Sequence, residues 1–184
     1  MNRYERLLRD LDKAGLWREL PADESSAALR QLNSGTSAVW WSGGGWAADG
    51  EDLAEGEVED WLRGMARPLA DCGVVLDVTT SSGPWDDIPA PGYTVTVNGS
   101  PLTLYSTDAA DPHLPLSGDP WMDCTLMPAA ELNRLLAGAG SDRRLALFWP
   151  GGNDGFAVLG PADVLRRAGA VTTASRGEVA FVIP

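Results

Sequence analysis

The sequence predicts an α+β fold, a single domain in which helices pack on a mixed, mostly antiparallel β-sheet. Two observations support this prediction. Helix and strand patterns occur in the order helix, helix, strand, helix, strand, hairpin, helix, two strands, helix, strand, without the regular alternation of a doubly wound fold. The 184 residues contain no linker or internal repeat and suffice for one buried core, so we expect one domain spanning residues 1–184.

The helices are predicted from apolar residues at intervals of three and four and from residues typical of helix ends. An amphipathic helix is predicted over residues 4–15. Three more helices are predicted to begin at Pro21, Pro128 and Pro161, because proline at the first helical position loses only an N–H that would have no helical partner. A longer helix is predicted over residues 55–72, with acidic residues in its first turns that suit the positive end of the helix dipole.

The strands are predicted from short apolar segments bounded by turn residues. These segments are residues 37–41, 73–78, 145–149, 156–160 and 178–183. The third and fourth segments are close in sequence and are expected to form a hairpin through the turn PGGNDG.

The strongest local pattern is a second hairpin, within the stretch YTVTVNGSPLTLYS of residues 93–106. Its Asn-Gly pair favours a type I′ turn, because these two residue types tolerate positive φ angles. A two-residue turn predicts that Val97 pairs with Ser100, Val95 with Leu102, Tyr93 with Leu104, and Thr94 with Thr103. This register places the apolar residues of both strands on one face, so turn chemistry and alternation agree.

The charge of the chain is concentrated in its middle. The formal net charge is −12, and residues 49–123 contain 15 acidic residues and only two basic ones. A negative field repels nucleic acid and anionic lipid and attracts cationic partners. We therefore expect a protein partner with a cationic surface, and neither nucleic acid nor a membrane as a partner.

Four segments without a clear helix or strand pattern combine tryptophan with carboxylates and contain no lysine or arginine. They are residues 42–54, 80–91, 107–124 and 149–155. Tryptophan offers a large, stiff apolar area and is enriched at interface hot spots. The predicted partner-binding residues are Trp46, Asp49, Glu51, Asp52, Glu55, Trp85, Asp86, Asp87, Asp111, Trp121 and Asp123. In the alternative interpretation, a loop tryptophan folds back as a lid over the core.

The sequence lacks the patterns of the common catalytic and metal sites. His113 is the only histidine, and no serine lies in a nucleophile-elbow motif. Cys72 and Cys124 lack the spacing of a zinc site, and no calcium loop or phosphate-binding loop is present. We therefore predict no catalytic residue, no metal and no cofactor. The two cysteines fit a reducing compartment, and their spacing leaves open whether they pair.

The N-terminus is charged and shows no secretory signal, and no apolar run reaches the length of a membrane span. These features predict a cytoplasmic protein.

Three acidic, tryptophan-bearing stretches give the chain a family resemblance. They read WSGGGWAADGEDLAEGEVEDW, SSGPWDDIPAPG and DPHLPLSGDPWMDC. With its size and its α+β pattern, the chain resembles bacterial polymorphic-toxin immunity proteins. The resemblance implies a cytoplasmic protein that binds a cognate toxin domain and blocks its active site. Acidic inhibitors complement the cationic clefts of toxins that act on nucleic acid.

Two other functions fit the same loops. Tryptophan beside paired carboxylates is typical of carbohydrate binding and of glycoside hydrolysis, for which Asp86, Asp87, Asp111 and Asp123 are candidates. A secretion-system adaptor or chaperone would bind an effector protein outside its active site.

Overall fold

The computed structural model describes residues 9, 12–15, 18, 44–82, 92–106, 119–153, 155–174 and 181–183. Within these residues, helices pack against two small antiparallel sheets, which confirms the predicted α+β class. The strands divide between two sheets where one was expected, and every pair among the described strands is antiparallel.

The elements are numbered in chain order. The strands are β1 (Gly45–Ala47), β2 (Val78–Ser82), β3 (Gly92–Val97), β4 (Ser100–Ser106), β5 (Arg143–Phe148), β6 (Phe156–Pro161) and β7 (Phe181–Val182). The helices are α1 (Gly50–Asp52), α2 (Val58–Gly64), α3 (Ala66–Asp71), α4 (Pro120–Gly138) and α5 (Ala162–Ala174), and a wide helical turn (Leu53–Glu57) joins α1 to α2. The spatial order is β1–β6–β5–β7 in the first sheet and β2–β3–β4 in the second.

One hydrophobic core extends through both sheets. Helix α4 contacts β5 of the first sheet and β4 of the second, and it contributes Leu132 and Leu136 to the core. The first sheet contributes Leu147 and Leu159, and the second contributes Leu104. Helix α4 therefore connects the two sheets through buried side chains.

The hairpin of β3 and β4 confirms the predicted turn. Asn98 and Gly99 have φ angles of 48° and 81°, and the predicted pairs of Val97, Val95 and Thr94 are present. The predicted pair of Tyr93 with Leu104 is wrong, because the register shifts and Tyr93 pairs with Tyr105. The shift leaves Leu104 as the extra residue of a β-bulge and keeps both Tyr93 and Leu104 buried.

The predicted hairpin of β5 and β6 is confirmed, with Leu145 opposite Leu159. The predicted strand 145–149 begins earlier, at Arg143, and ends at Phe148 because Trp149 has a φ of 53°. Of the predicted strand 178–183, Phe181–Val182 is strand β7 and pairs with β5.

The predicted strand 73–78 is wrong except at Val78, where β2 begins. The residues before β2 are held by the side chain of Asn98 and not by a neighbouring strand. The amide of Asn98 donates to the carbonyl of Val75 at 2.8 Å and accepts from the N–H of Asp77 at 2.7 Å. These bonds satisfy the backbone of the connection from α3 to β2.

The predicted long helix 55–72 is divided into shorter ones. Helical structure begins earlier, at Gly50, and Gly56 interrupts it with a φ of 116°. Met65 separates α2 from α3. The predicted stop at Gly73 is confirmed, since its φ of 83° suits a residue that follows a helix.

Helix α4 begins at Pro120 and not at Pro128, so the expected start is wrong by two turns. Asp119 caps the helix and Pro120 takes the first position, an arrangement that favours a helix start. Pro128 lies inside the helix, where it removes one backbone hydrogen bond. The helix predicted after Pro161 is confirmed as α5.

Residues 12–14 are helical and Gly15 has a φ of 94°, which agrees with the predicted end of the first helix. The strand predicted at 37–41 and the helix predicted at Pro21 lie outside the described residues. No helix among the described residues combines the length and the apolar character needed to cross a membrane.

Candidate functional site

Three of the acidic, tryptophan-bearing segments meet in the folded chain. We call the region formed by residues 48–52, 119–122 and 149–153 the three-loop surface. Its first and third segments are joined by a backbone hydrogen bond from the N–H of Gly50 to the carbonyl of Gly152 at 3.1 Å. Just beyond the third segment, the carbonyl of Gly155 accepts from the N–H of Ala48 at 2.8 Å.

Glycine allows the three backbones to approach closely. A Cβ atom on Gly50 would lie 2.9 Å from the carbonyl carbon of Gly151 and 3.0 Å from Cβ of Trp121. A Cβ atom on Gly151 would lie 3.1 Å from Cα of Met122. Larger residues at these two glycines would therefore separate the segments that form the surface.

Two aspartates of the three-loop surface cap helices. Asp49 accepts hydrogen bonds from the N–H groups of Glu51 and Asp52 at 2.9 and 3.4 Å, and Asp119 caps α4 in the same way through Trp121 and Met122. Backbone N–H groups at the starts of two helices thus hold carboxylates at this surface.

The remaining acids of the first segment lie beside this cap. Glu51 accepts a hydrogen bond from Nδ2 of Asn153 at 2.8 Å, which links the first segment to the third. Asp52 is exposed at the end of α1, and Glu55 is exposed on the wide turn that follows. The predicted carboxylates Asp49, Glu51 and Asp52 are therefore brought together.

Trp121 is the exposed aromatic residue of the three-loop surface. Trp121 is 38% exposed, and among the described large apolar residues only Val75 is exposed as well. No lysine or arginine occurs in residues 44–62, 119–133 or 149–155. The surface thus presents the accessible indole of Trp121 together with carboxylates. The three segments that form it have no basic residue close by in the sequence.

Trp46 is not an exposed anchor, and that prediction is wrong. The side chain is 9% exposed and belongs to the core. Its Nε1 donates to the carbonyl of Gly64 at 3.2 Å, and β1 pairs it with Ala157. Strand β1 has only three residues, too few for its alternation to be recognised in the sequence, and the alternative interpretation as a lid is the correct one here.

Asp123 is also buried, with 2% exposure, and cannot contact a partner. Because α4 begins at Pro120, Asp123 lies in the first helical turn on the inward face, where the helix dipole stabilises a carboxylate. The expectation of an irregular loop over residues 107–124 led to the error at this position. Four other predicted residues, Trp85, Asp86, Asp87 and Asp111, lie outside the described residues.

Asp119 and Asn153 belong to the surface, although the sequence analysis did not select them. The Asp-Pro pair at 119–120 is a helix-start signal and could have identified Asp119. Asn153 carries no such signal, because its contact with Glu51 joins residues 102 positions apart.

Burial raises the pKa of the Cys124 thiol to about 12, so this thiol stays protonated and is a poor nucleophile at neutral pH. Both Cys124 and Cys72 are free thiols. Within the described ranges, no group of three or more His, Cys, Asp or Glu side chains is placed to hold a metal ion.

A separate cavity of about 280 Å³ lies near the C-terminal end of α4 and is lined in part by Val74, Val75, Leu135 and Arg134. At 1.5 Å per residue, Leu135 is roughly 20 Å along the helix from Trp121. Arg134 is paired with Glu131 at 2.5 Å. This cavity is therefore distinct from the three-loop surface.

Comparisons with models of protein families, with curated proteins and with solved structures each found no match to this chain.

Proposed function

We propose that this protein is an immunity protein, which binds a cognate toxin domain through the three-loop surface and neutralises it. The observation that supports the proposal is the position of Trp121. Trp121 is 38% exposed, and its Cβ lies against Gly50. The segment of Gly50 carries the carboxylates Asp49, Glu51 and Asp52, and that of Trp121 carries Asp119.

The two kinds of side chain would serve different steps of binding. Carboxylates that face solvent accelerate encounter with a cationic partner, and this effect weakens as salt increases. A tryptophan that becomes fully buried at an interface supplies affinity and slows dissociation. In this proposal Glu51 and Asp52 mainly increase the association rate, and Trp121 mainly decreases the dissociation rate.

The experiment begins with the partner. The immobilised chain captures proteins from its native host, and the captured toxin domain is identified, purified and titrated. Binding kinetics are then measured at low and physiological salt, and the toxin's own activity is measured with an equimolar amount of the chain. The proposal expects loss of toxin activity and association that slows steeply with salt.

Variants test whether the three-loop surface is responsible. Trp121→Ala is expected to weaken binding by at least about 2 kcal/mol, and Val75→Ala is its control, because Val75 is exposed at 81% near the other end of α4. Glu51→Gln with Asp52→Asn is expected to slow association. The control, Asp71→Asn with Asp142→Asn, removes the same number of charges at two exposed positions outside the three-loop surface.

Three results would contradict the proposal. Equal effects of the Trp121 and Val75 variants would mean that the three-loop surface is not the binding surface. Tight binding without loss of toxin activity would indicate an adaptor or a chaperone. A change of tryptophan fluorescence on titration with oligosaccharides, without a protein partner, would favour carbohydrate binding.

A further inference from the structure

The outer edge of β2 is closed by two side chains from α2. Strand β2 pairs with β3 on one side and is the edge strand of the second sheet among the described strands. On its other side, the N–H of Thr80 donates to Oε2 of Glu59 at 2.6 Å. Nη2 of Arg63 donates to the carbonyl of Val78 at 3.3 Å.

The same two side chains bind each other. Nη2 of Arg63 lies 2.5 Å from Oε1 of Glu59, one helical turn away. The carboxylate of Glu59 thus accepts from the N–H of Thr80, and the guanidinium of Arg63 donates to the carbonyl of Val78, two residues earlier in the strand. A neighbouring antiparallel strand would supply the same alternation of acceptor and donor. The ion pair therefore takes the position of a strand partner.

The two edges of the sheet are protected differently. Edge strands are protected from pairing with other chains by proline, by charged side chains or by covering segments. Strand β4 carries Pro101, which has no N–H, whereas β2 has the sequence VTTSS without proline or charge. Threonine favours strands, and Thr79 and Thr80 are exposed. Within the described part of the chain, Glu59 and Arg63 bind the outward backbone groups of Val78 and Thr80, and without them these groups would form a regular edge.

That edge is complementary to itself. If two copies of β2 lie antiparallel about a two-fold axis through Thr79, Val78 of one copy lies opposite Thr80 of the other. The N–H of each Thr80 then meets the carbonyl of the opposite Val78. These are the two groups that Glu59 and Arg63 now bind, so a second copy fits the edge without any further donor or acceptor.

We propose that the outer edge of β2 is a strand-pairing site for a second copy of this chain, and that the Glu59–Arg63 pair keeps it closed. The pairing uses both copies of the edge, so it ends at a closed dimer. Val58, Trp61 and Leu62 hold α2 in the core. Rotation of the Glu59 and Arg63 side chains, without displacement of the helix, would open the edge.

The proposal is tested by removing the Glu59–Arg63 ion pair and measuring the molecular mass of the protein in solution. The double variant Glu59→Ala with Arg63→Ala is examined by sedimentation equilibrium at about 0.15 M salt, where charge repulsion between copies is screened beyond about 8 Å. For the double variant we expect the mass to rise with concentration to twice that of the monomer. The wild type is expected to keep the monomer mass at every concentration. The control is Asp163→Ala with Arg167→Ala, an exposed i,i+4 ion pair on α5, which is expected to stay monomeric.

A third substitution tests the position of the contact. Thr80→Pro in the double variant removes the N–H that points away from β3, so it leaves the β2–β3 bonds intact and is expected to restore the monomer. A folded double variant that remains monomeric would overturn the proposal. A dimer that persists with Thr80→Pro, or assembly beyond the dimer, would overturn it as well.

The wild type and the single variants supply a measurement that does not depend on the double variant folding. The Thr80 amide is expected to exchange its hydrogen slowly in the wild type and at least tenfold faster in folded Glu59→Ala. Rapid exchange of this amide in the wild type would show that the edge is open and would refute the proposal. Circular dichroism checks that each variant is folded.

Discussion

The side-chain amide of Asn133 pairs with both backbone groups of Leu145. Nδ2 donates to the carbonyl of Leu145 at 2.9 Å, and Oδ1 accepts from its N–H at 2.7 Å. Among the described residues, strand β7 pairs with β5 at Leu147 and Phe148. At Leu145 a side chain of α4 binds both backbone groups of β5, and it fixes α4 against the first sheet.

The hydrogen bonds of Asn133 with Leu145 are expected to stabilise the fold. Asn133→Ala is expected to lower the free energy of unfolding by about 3 kcal/mol, because a buried donor and a buried acceptor lose their partners. Urea denaturation measures the change. Asn153→Ala, at an exposed amide, is the control and is expected to change stability by less than about 1 kcal/mol. Equal losses for the two variants would contradict this role of Asn133.

Tyr93 supports the start of α2. Its hydroxyl accepts a hydrogen bond from the N–H of Val58 at 3.2 Å, and Tyr105 donates to the carbonyl of Ala54 at 3.3 Å. Tyr93→Phe is expected to destabilise the fold by roughly 1–3 kcal/mol, since a buried N–H loses its acceptor. Tyr105→Phe, whose side chain is partly exposed, is expected to cost less, and denaturant midpoints compare the two.

Tyr93 also predicts a response to alkaline pH. Burial raises the pKa of the Tyr93 hydroxyl above its ordinary value of about 10. A raised folded-state pKa gives stability that is complete below the unfolded pKa and is lost as pH rises above it. We therefore expect stability to fall above about pH 10, and less steeply in Tyr93→Phe. Equal slopes would contradict this assignment.

Trp46 and Trp121 are expected to respond in opposite ways to truncation. Trp46→Ala is expected to lower the free energy of unfolding by about 3–5 kcal/mol, as for a large core side chain. Trp121→Ala is expected to change stability by no more than about 1 kcal/mol. Thermal and urea unfolding provide the values. A larger loss for Trp121 would mean that its ring supports the fold and is not available to a partner.

Glu59 is expected to make stability depend on acid pH. The pKa of Glu59 is lowered, mainly by hydrogen bonding with the side chain of Thr80. The backbone N–H of Thr80 and the positive charge of Arg63 lower it further. A lowered folded-state pKa gives stability that is present above the ordinary value of about 4.3 and is lost as pH falls through the folded-state value. The stability difference between wild type and Glu59→Gln should therefore shrink on acidification.

The control for Glu59 is Asp60→Asn, which removes a charge from an exposed position of the same helix. Unfolding is followed by urea at a series of pH values for all three proteins. The interpretation fails if the difference for Glu59→Gln is independent of pH, or if Asp60→Asn behaves in the same way.

The two thiols are expected to differ in reactivity. Burial raises the pKa of both, and Cys124 is fully buried whereas Cys72 is half-buried. With a thiol reagent at about pH 8, close to an ordinary cysteine pKa, Cys72 should react in the folded protein and Cys124 only after unfolding. Peptide mass spectrometry assigns the labels. Labelling of Cys124 at the same rate as Cys72 would contradict the burial of Cys124. In the variant Cys72→Ser the labelling rate of Cys124 is measured alone.

The sequence by itself determined the features that depend on near neighbours. Asn98 and Gly99 fix a hairpin turn because positive φ is a property of those two residues, and the pairs next to the turn follow from it. The α+β class and the charge of residues 49–123 follow from local patterns in the same way. The break at Gly56 and the helix start at Pro120 also have local signals, which the apolar periodicity around them outweighed.

The tertiary structure decided which side chains of the acidic loops are accessible. Trp46 is buried against Gly64 and Ala157, which lie 18 and 111 positions away in the sequence. Trp121 stays exposed, with its Cβ against Gly50, 71 positions away. Both tryptophans lie near acids in similar loops, so composition does not distinguish them. Exposure depends on contacts between distant residues, and local propensity does not encode those contacts.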